Sequence, residues 1–271
     1  MVKVLILGST GMLGNAVGKW FLERPEQFET HLTYRNEEMS FGENKHYFNM
    51  YDEEGSGELP AVDYIINCVG LIKPFITEDP LVSIEVNATF PWRLARYCEE
   101  TDTNLIHITT DCVYSGAKGS YSEESEHDAL DSYGKTKSLG EPNNCMVLRT
   151  SIIGEEIHKN VSLISWVKDQ KGGEVNGYTN HLWNGITTKQ YAEVCGKIIT
   201  QDLFQIGKFH IHSPEPVTKH KLVSLINERF ELGITVNEFE APVVVDRTLA
   251  TTHEMCARLE IPPIEQQIKE L

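Results

Sequence analysis

Residues 2–14, VKVLILGSTGMLG, constrain the fold more than any other stretch of the chain. The branched apolar run at 2–7 reads as a strand buried on both faces, because a strand with one wet face would alternate. It stops at Gly8, and the next segment carries apolar residues at 12, 13, 16, 17, 20 and 21, a helical spacing. A strand, a glycine turn and a helix in that order aim the helix N-terminus, with its unpaired N–H groups and positive dipole end, at an anion. The three glycines allow the tight turn, a close backbone approach to a pyrophosphate, and packing of helix on strand. Gly8, Ser9, Thr10, Gly11, Met12 and Leu13 are therefore candidate cofactor contacts.

The alternation continues along the chain. Segments 31–34, 45–48, 63–68, 104–109 and 145–148 read as strands. Segment 80–100 reads as one long helix disturbed at Pro91, and another helix starts at Ser132. Strands alternating with helices predict an α/β fold, a Rossmann-type doubly wound parallel sheet. Past about residue 150 the pattern weakens, with a strand at 208–212 and a helix at 219–230. The expected organisation is a cofactor-binding Rossmann domain over 1–155 and a smaller C-terminal substrate-binding lobe over 156–271 that shares elements with it.

The formal net charge of −16 repels a phosphate polyanion, so nucleic acid is not an expected partner. Acidic clusters at 52–54 and 123–124 read as solvated loops. The six cysteines, at 68, 98, 112, 145, 195 and 256, form no C-x-x-C pair and suit neither a zinc site nor a disulfide framework. No apolar run reaches membrane-spanning length, and the start of the chain lacks a signal-peptide pattern. The expectation is a cytoplasmic protein with reduced thiols, no bound metal and no membrane partner.

The end of the 31–34 strand reads LTYR. Where NAD-binding turns place an acid for the ribose 2′-hydroxyl, this chain has Arg35, which pairs with a 2′-phosphate, so NADP(H) is the expected cofactor. Further on, YGKTK sets Tyr133 and Lys137 four apart, on one helix face. A lysine cation stabilises a phenolate and lowers the tyrosine pKa, so that the phenol can exchange a proton with a carbonyl or alcohol oxygen. The 104–109 strand runs into Thr109-Thr110-Asp111, and a hydroxyl there can hydrogen-bond the same oxygen. Thr109 and Thr110 are both candidates.

GSTGMLG, TTDCVYSG, YGKTKSLGE and LRTSIIG, in this order, resemble the extended short-chain dehydrogenase/reductase family, and within it the dTDP-4-dehydrorhamnose reductases and related sugar-nucleotide reductases. The resemblance is strongest over 1–155. It implies NADPH-dependent reduction of the C4 ketone of a nucleotide-activated 4-keto-6-deoxyhexose, and a homodimer as a compatible assembly. Thr110, Tyr133 and Lys137 then stand at the catalytic positions, with Lys137 also on the nicotinamide ribose. Cys68, Val69 and Gly70 line the cofactor, Asn49 and Met50 lie near adenine, Asn87 supports the active-site strand, and Thr150 and Ser151 sit near the nicotinamide.

Two departures matter. Related 4,6-dehydratases carry Asp-Glu after the threonine; here Asp111 is followed by Cys112, which argues against dehydration. A cysteine at that place resembles the bifunctional epimerase/reductases of the GDP-fucose synthase type. Cys112 is thus a possible epimerase acid/base, with His158, Lys159 or His181 as partner, and a 3,5-epimerase/4-reductase is an alternative. Candidate substrate residues are Lys73, Thr110, Trp183 in YTNHLWNG and Arg247 in DRT. The family's magnesium at a dimer contact is not carried over, since no metal-ligand cluster is apparent. The chain also resembles the beta subunit of methionine adenosyltransferase, an NADP-binding regulatory protein of the same fold, so a non-catalytic role is a further alternative; the intact Thr110, Tyr133 and Lys137 set favours an enzyme.

Overall fold

The computed structural model describes residues 1–51, 59–76, 79–157 and 161–271. The run VKVLIL forms β1 (Val2–Leu7), in the middle of a seven-stranded sheet. The other strands are β2 (Phe28–Tyr34), β3 (Lys45–Tyr47), β4 (Tyr64–Asn67), β5 (Asn104–Thr110), β6 (Met146–Thr150) and β7 (Gly207–His210). Their spatial order is β3-β2-β1-β4-β5-β6-β7, and every pairing is parallel. The order reverses between β1 and β4, and ligands of such sheets bind beyond the carboxyl ends of the strands at this switch point. The α/β Rossmann-type sheet expected from the sequence is the fold observed.

The unbroken apolar character of β1 follows from its two buried faces. Val4 and Ile6 pack into one core with Leu13, Val17 and Phe21 of α1 (Met12–Leu22). Leu5 and Leu7 point the other way, toward Phe90, Leu94 and Cys98 of α2 (Phe90–Glu100). Each fully buried aliphatic side chain of this kind contributes about 1.5–3 kcal/mol, so a polar residue on either face is costly. Strand β2 begins three residues before the expected 31, because Phe28 is itself core, its ring 4.6 Å from that of Phe21.

The long helix expected over 80–100 is three segments: Pro80–Ile84, a π-helical turn Glu85–Thr89, and α2. Pro91 explains the position of the disturbance. It has no N–H to donate to the carbonyl four residues back, Asn87, so the departure from α geometry lies before the proline.

Residues beyond 155 complete the first core. Tyr191, Val194, Cys195 and Ile198 of α4 (Thr188–Thr200), with Phe209 of β7, join the Val4–Ile6 side of the sheet. The second lobe has its own core, in which Ile164, Val175 and Trp183 meet Leu222 and Ile226 of α5 (Lys219–Arg229) and Ile264 and Ile268 near the C-terminus. The chain therefore leaves the sheet after β6, returns for α4 and β7, and leaves again.

A buried ion pair lies under the β6–β7 edge. Arg149 is 1% exposed and pairs with Glu141 through Nε–Oε1 at 2.9 Å and Nη2–Oε2 at 2.7 Å. Its Nη1 donates to the Tyr114 hydroxyl at 2.7 Å and to His210 Nε2 at 2.8 Å. Burial, with the Arg149 charge beside it, holds His210 down to about 4 and thus neutral. Among the described residues no helix is long and apolar enough to cross a membrane.

Candidate active site

At Gly8 the chain takes φ +78°, the left-handed region that favours glycine, and a Cβ on Gly14 would come within 2.2 Å of the Gly8 carbonyl oxygen. Helix α1 thus starts directly against the turn. Gly11 caps it without a side-chain hydrogen bond, and its first turn holds no acid, so its N–H groups remain available to an anion. Thr33 of β2 fixes the turn: its Oγ1 accepts from Gly8 N at 3.0 Å, and its carbonyl accepts from the Ser9 hydroxyl at 2.6 Å. Ser9 is 1% exposed and is spent on that tie, outside the cleft lining, whereas Thr10, Gly11, Met12 and Leu13 line the clefts.

Two clefts share Gly11, Met12 and residues 68–71. The smaller, about 340 Å³, runs from the glycine turn to exposed Arg35 and takes in Tyr34, Met50 and Tyr51. Asn49 is outside its lining and accepts from Tyr51 N at 3.4 Å. The larger, about 830 Å³, continues past Thr109, Thr110, Asp111 and Cys112 to Tyr133, Lys137, Thr150 and Ser151.

The shared 68–71 segment is held by two buried amides. Asn67 Oδ1 accepts from Val69 N at 3.0 Å, while its Nδ2 donates to His107 Nδ1 at 3.0 Å. That bond sets the His107 tautomer, leaving Nε2–H to donate to the Gly140 carbonyl at 3.0 Å. Asn87 spans Leu71, accepting from its N–H and donating to its carbonyl, both at 2.9 Å. Asn87 thus supports the segment beyond β4, next to Lys137 and Gly70.

Tyr133 and Lys137 lie on α3 (Ser132–Leu139), capped by Asp131, whose carboxylate accepts from Gly134 N at 2.9 Å. Lys137 is 5% exposed and donates to the Ile108 carbonyl at 3.2 Å. Burial pushes its ammonium down to about 8, with Glu141 pulling the other way. The expected lowering of the Tyr133 pKa is overturned in this cleft. Burial, aided by Cys112, Asp111 and Asp131, pushes the phenol up, and the Thr110 hydrogen bond opposes this. A phenol held protonated is the form that can donate to a carbonyl oxygen.

Other expected residues are placed differently. Lys73 lines the larger cleft, 3.2 Å from Asp131 and 5.9 Å from the centre of the Tyr133 ring. Arg247 is outside the lining and donates through Nε to the Tyr114 carbonyl at 3.0 Å, though its charge acts on Asp111 and Cys112. Trp183 is 3% exposed, in the second core, with Lys219 Nζ 5.1 Å from its ring. Burial raises the Cys112 thiol to about 12. His181 meets the Val243 carbonyl at 3.0 Å, outside the cleft lining, while His158, Lys159 and the 52–54 cluster lie outside the described residues. Among the described residues no group of three or more His, Cys, Asp or Glu is arranged to hold a metal.

The sequence reading missed Thr33, Glu156 and Lys219. Thr33 is one of many strand threonines. Glu156 lines both clefts and accepts from Val161 N at 2.6 Å and Ser162 N at 2.8 Å. Lys219 opens α5 and acts on Asp111 and Cys112 from the second lobe. No local pattern marks either residue.

The sheet order, the glycine turn after β1, and the threonine and tyrosine–lysine pair beyond β5 define a Rossmann-type protein of the extended short-chain dehydrogenase/reductase class. Residues 2–249 match the RmlD substrate binding domain family, and the chain belongs to that family. It is 28% identical to methionine adenosyltransferase 2 subunit beta of Rattus norvegicus, over 98% of this chain and 84% of that protein. It is 25% identical to a probable low-salt glycan biosynthesis reductase of Haloferax volcanii, over 97% of this chain and 91% of the other. A crystal structure of a dTDP-4-dehydrorhamnose reductase from Bacillus anthracis, in complex with NADP, superposes with a TM-score of 0.76 at 16% identity, covering 100% of this chain and 98% of that one.

Proposed function

We propose that this chain binds NADP(H) along the two joined clefts and reduces the C4 ketone of a nucleotide-linked 4-keto-6-deoxyhexose. The observation that carries the reading is the meeting of Thr110, Tyr133 and Lys137 in a cleft continuous with one that ends at Arg35. The residues fit the cofactor. The uncapped start of α1 suits a diphosphate, Arg35 a 2′-phosphate, and the Thr109 hydroxyl, buried without a partner, lines the larger cleft where a polar ligand group would satisfy it. The bound cofactor supplies the hydride. Tyr133, kept protonated, gives its proton to the alkoxide oxygen. Thr110 holds that oxygen, and Lys137 binds the ribose and offsets the phenolate charge. Lys73, at the mouth, contacts the sugar or its diphosphate. An NADP complex of a dTDP-4-dehydrorhamnose reductase of this fold, and a curated relative named as a probable glycan biosynthesis reductase, support this reading.

The 28% identity to methionine adenosyltransferase 2 subunit beta favours a second reading, an NADP-binding regulatory subunit. Epimerisation through Cys112 has less support, since a thiol raised to about 12 holds almost no thiolate near neutral pH to take a proton. The test is incubation with NADPH and a panel of dTDP-, UDP- and GDP-4-keto-6-deoxysugars, following loss of the reduced-nicotinamide absorbance. Oxidation that disappears in Tyr133→Phe supports the reductase. Tight NADPH binding with no oxidation for any sugar favours the regulatory reading.

A further inference from the structure

The Thr110 hydroxyl is held between two fixed neighbours, one on its proton and one on its oxygen. The Oγ1 donates to Asp111 Oδ1 at 3.1 Å and accepts from the Cys112 backbone N–H at 3.1 Å. The Tyr133 hydroxyl lies close enough for Thr110 to act on its proton. A hydroxyl carries one donor and two acceptor positions. With Asp111 ionised, the Thr110 proton belongs to the carboxylate. The Cys112 N–H fills one lone pair, and Tyr133, turned to Thr110, fills the other. The Thr110 proton is then not left to meet a ketone oxygen in the cleft, and the Tyr133 hydroxyl is drawn toward Thr110. With Asp111 protonated the chain reverses: Asp111 and the Cys112 N–H occupy the two lone pairs, and the protons of Thr110 and Tyr133 both point at the cleft.

We infer that Asp111 is a positioning residue which sets, by a single proton, the direction in which Thr110 and Tyr133 present their hydroxyls to a ligand oxygen. The reversal is a property of the free protein; its effect on turnover rests on the reductase reading.

The surroundings of Asp111 suit the role. Its side chain is 3% exposed and lines the cleft with Ser151, which favours the ionised carboxyl. From the second lobe, Lys219 at the start of α5 and Arg247 favour the ionised form. Burial opposes them and prevails, raising the carboxyl above its ordinary range. On its own turn Cys112 faces it, and on α3 Tyr133 does; both are held protonated by burial. Lys73 and Asp131, at the mouth, pair with each other at 3.2 Å. The balance between carboxyl and carboxylate is thus set by two cations of the second lobe against the dryness of the cleft.

The experiment is NMR of the full-length chain labelled with 13C at aspartate carboxyls and threonine methyls, followed across pH. The Asp111 carboxyl should titrate above the ordinary carboxylate range, and the Thr110 methyl should move with the same midpoint. Asp111→Asn should remove the Thr110 step. Lys219→Met, which deletes one cation and keeps the carboxyl, should move both midpoints upward together. In turnover with NADPH and a keto sugar, wild-type kcat/KM should fall tenfold per pH unit above the shared midpoint, a limb absent in Asp111→Asn. Thr110 titrating independently of Asp111, or an unchanged limb in Asp111→Asn, would overturn the inference. Coincident NMR steps without turnover of any sugar would leave it standing and remove the reductase reading.

Discussion

A Cβ on Gly140 would lie 1.8 Å from the carbonyl oxygen of Asn87, so the end of α3 rests directly on the π-helical turn of its neighbour. Pro91 cannot bond that carbonyl, and Gly140 packs against it. The Gly140 carbonyl is in turn bonded by His107. Gly140→Ala must push α3 away, and overpacking of this kind costs about 1–3 kcal/mol. Urea unfolding should show that loss, and turnover should drop with it because Tyr133 and Lys137 move. A variant as stable as the parent would mean that the two helices separate freely.

Lys137 gives an unusual pH dependence. Its ammonium is held down to about 8, against an ordinary 10.5. Between those values the unfolded chain binds a proton that the folded chain lacks, so stability rises with pH across this window. Below it, the buried charge costs about 3 kcal/mol by this one effect. Lys137→Met should therefore be more stable than the parent at pH 7, and the gap should close by about pH 10.5. Thermal unfolding at several pH values measures this; a gap independent of pH would assign the change to packing.

For the Arg149–Glu141 pair, removing one partner leaves a buried charge alone. Glu141→Gln should cost about 3–5 kcal/mol, and the double variant Arg149→Met with Glu141→Leu should cost less than either single change. The Glu141 carboxyl is held below its ordinary range, chiefly by Arg149 acting against burial. Its stabilisation is present above the ordinary carboxylate range and is lost as pH falls through the lowered value. Equilibrium unfolding of these variants between pH 3 and 7 tests both statements.

Arg35 separates the two cofactors. A hydrogen bond to a charged group is worth about 1.5–3 kcal/mol, so Arg35→Ala should weaken NADPH binding by roughly ten- to a hundredfold and leave NADH nearly unaffected. Fluorescence titration with both nucleotides reads the difference. Equal weakening of both would place Arg35 away from the 2′-phosphate.

What the sequence made legible were features carried by neighbours in the chain. The glycine turn, the hydroxyls at the end of β5, and Tyr133 with Lys137 are local patterns whose geometry follows from strand and helix periods. The start of β2 was misjudged because tertiary packing decided it: Phe28 is strand because Phe21 covers it. Lys219 and Thr33 were invisible for a different reason. Each acts on a partner far away in sequence, Asp111 and Gly8, and single residues leave no periodic trace. The Tyr133 proton illustrates the same limit. The spacing to Lys137 was read correctly, but its effect depended on burial, which spacing does not reveal.

The strand order also has a consequence for synthesis. β6 is a fully buried strand whose outer neighbour, β7, comes only at residues 207–210, after an excursion through part of the second lobe and α4. While the chain is being made, the growing sheet presents Met146–Thr150 as an open apolar edge, with Arg149 buried toward a histidine that has not yet emerged. Such an edge is a template for pairing with another chain. The nascent protein therefore carries this open edge from β6 until β7 is made, and a chaperone that shields it would protect it until His210 arrives.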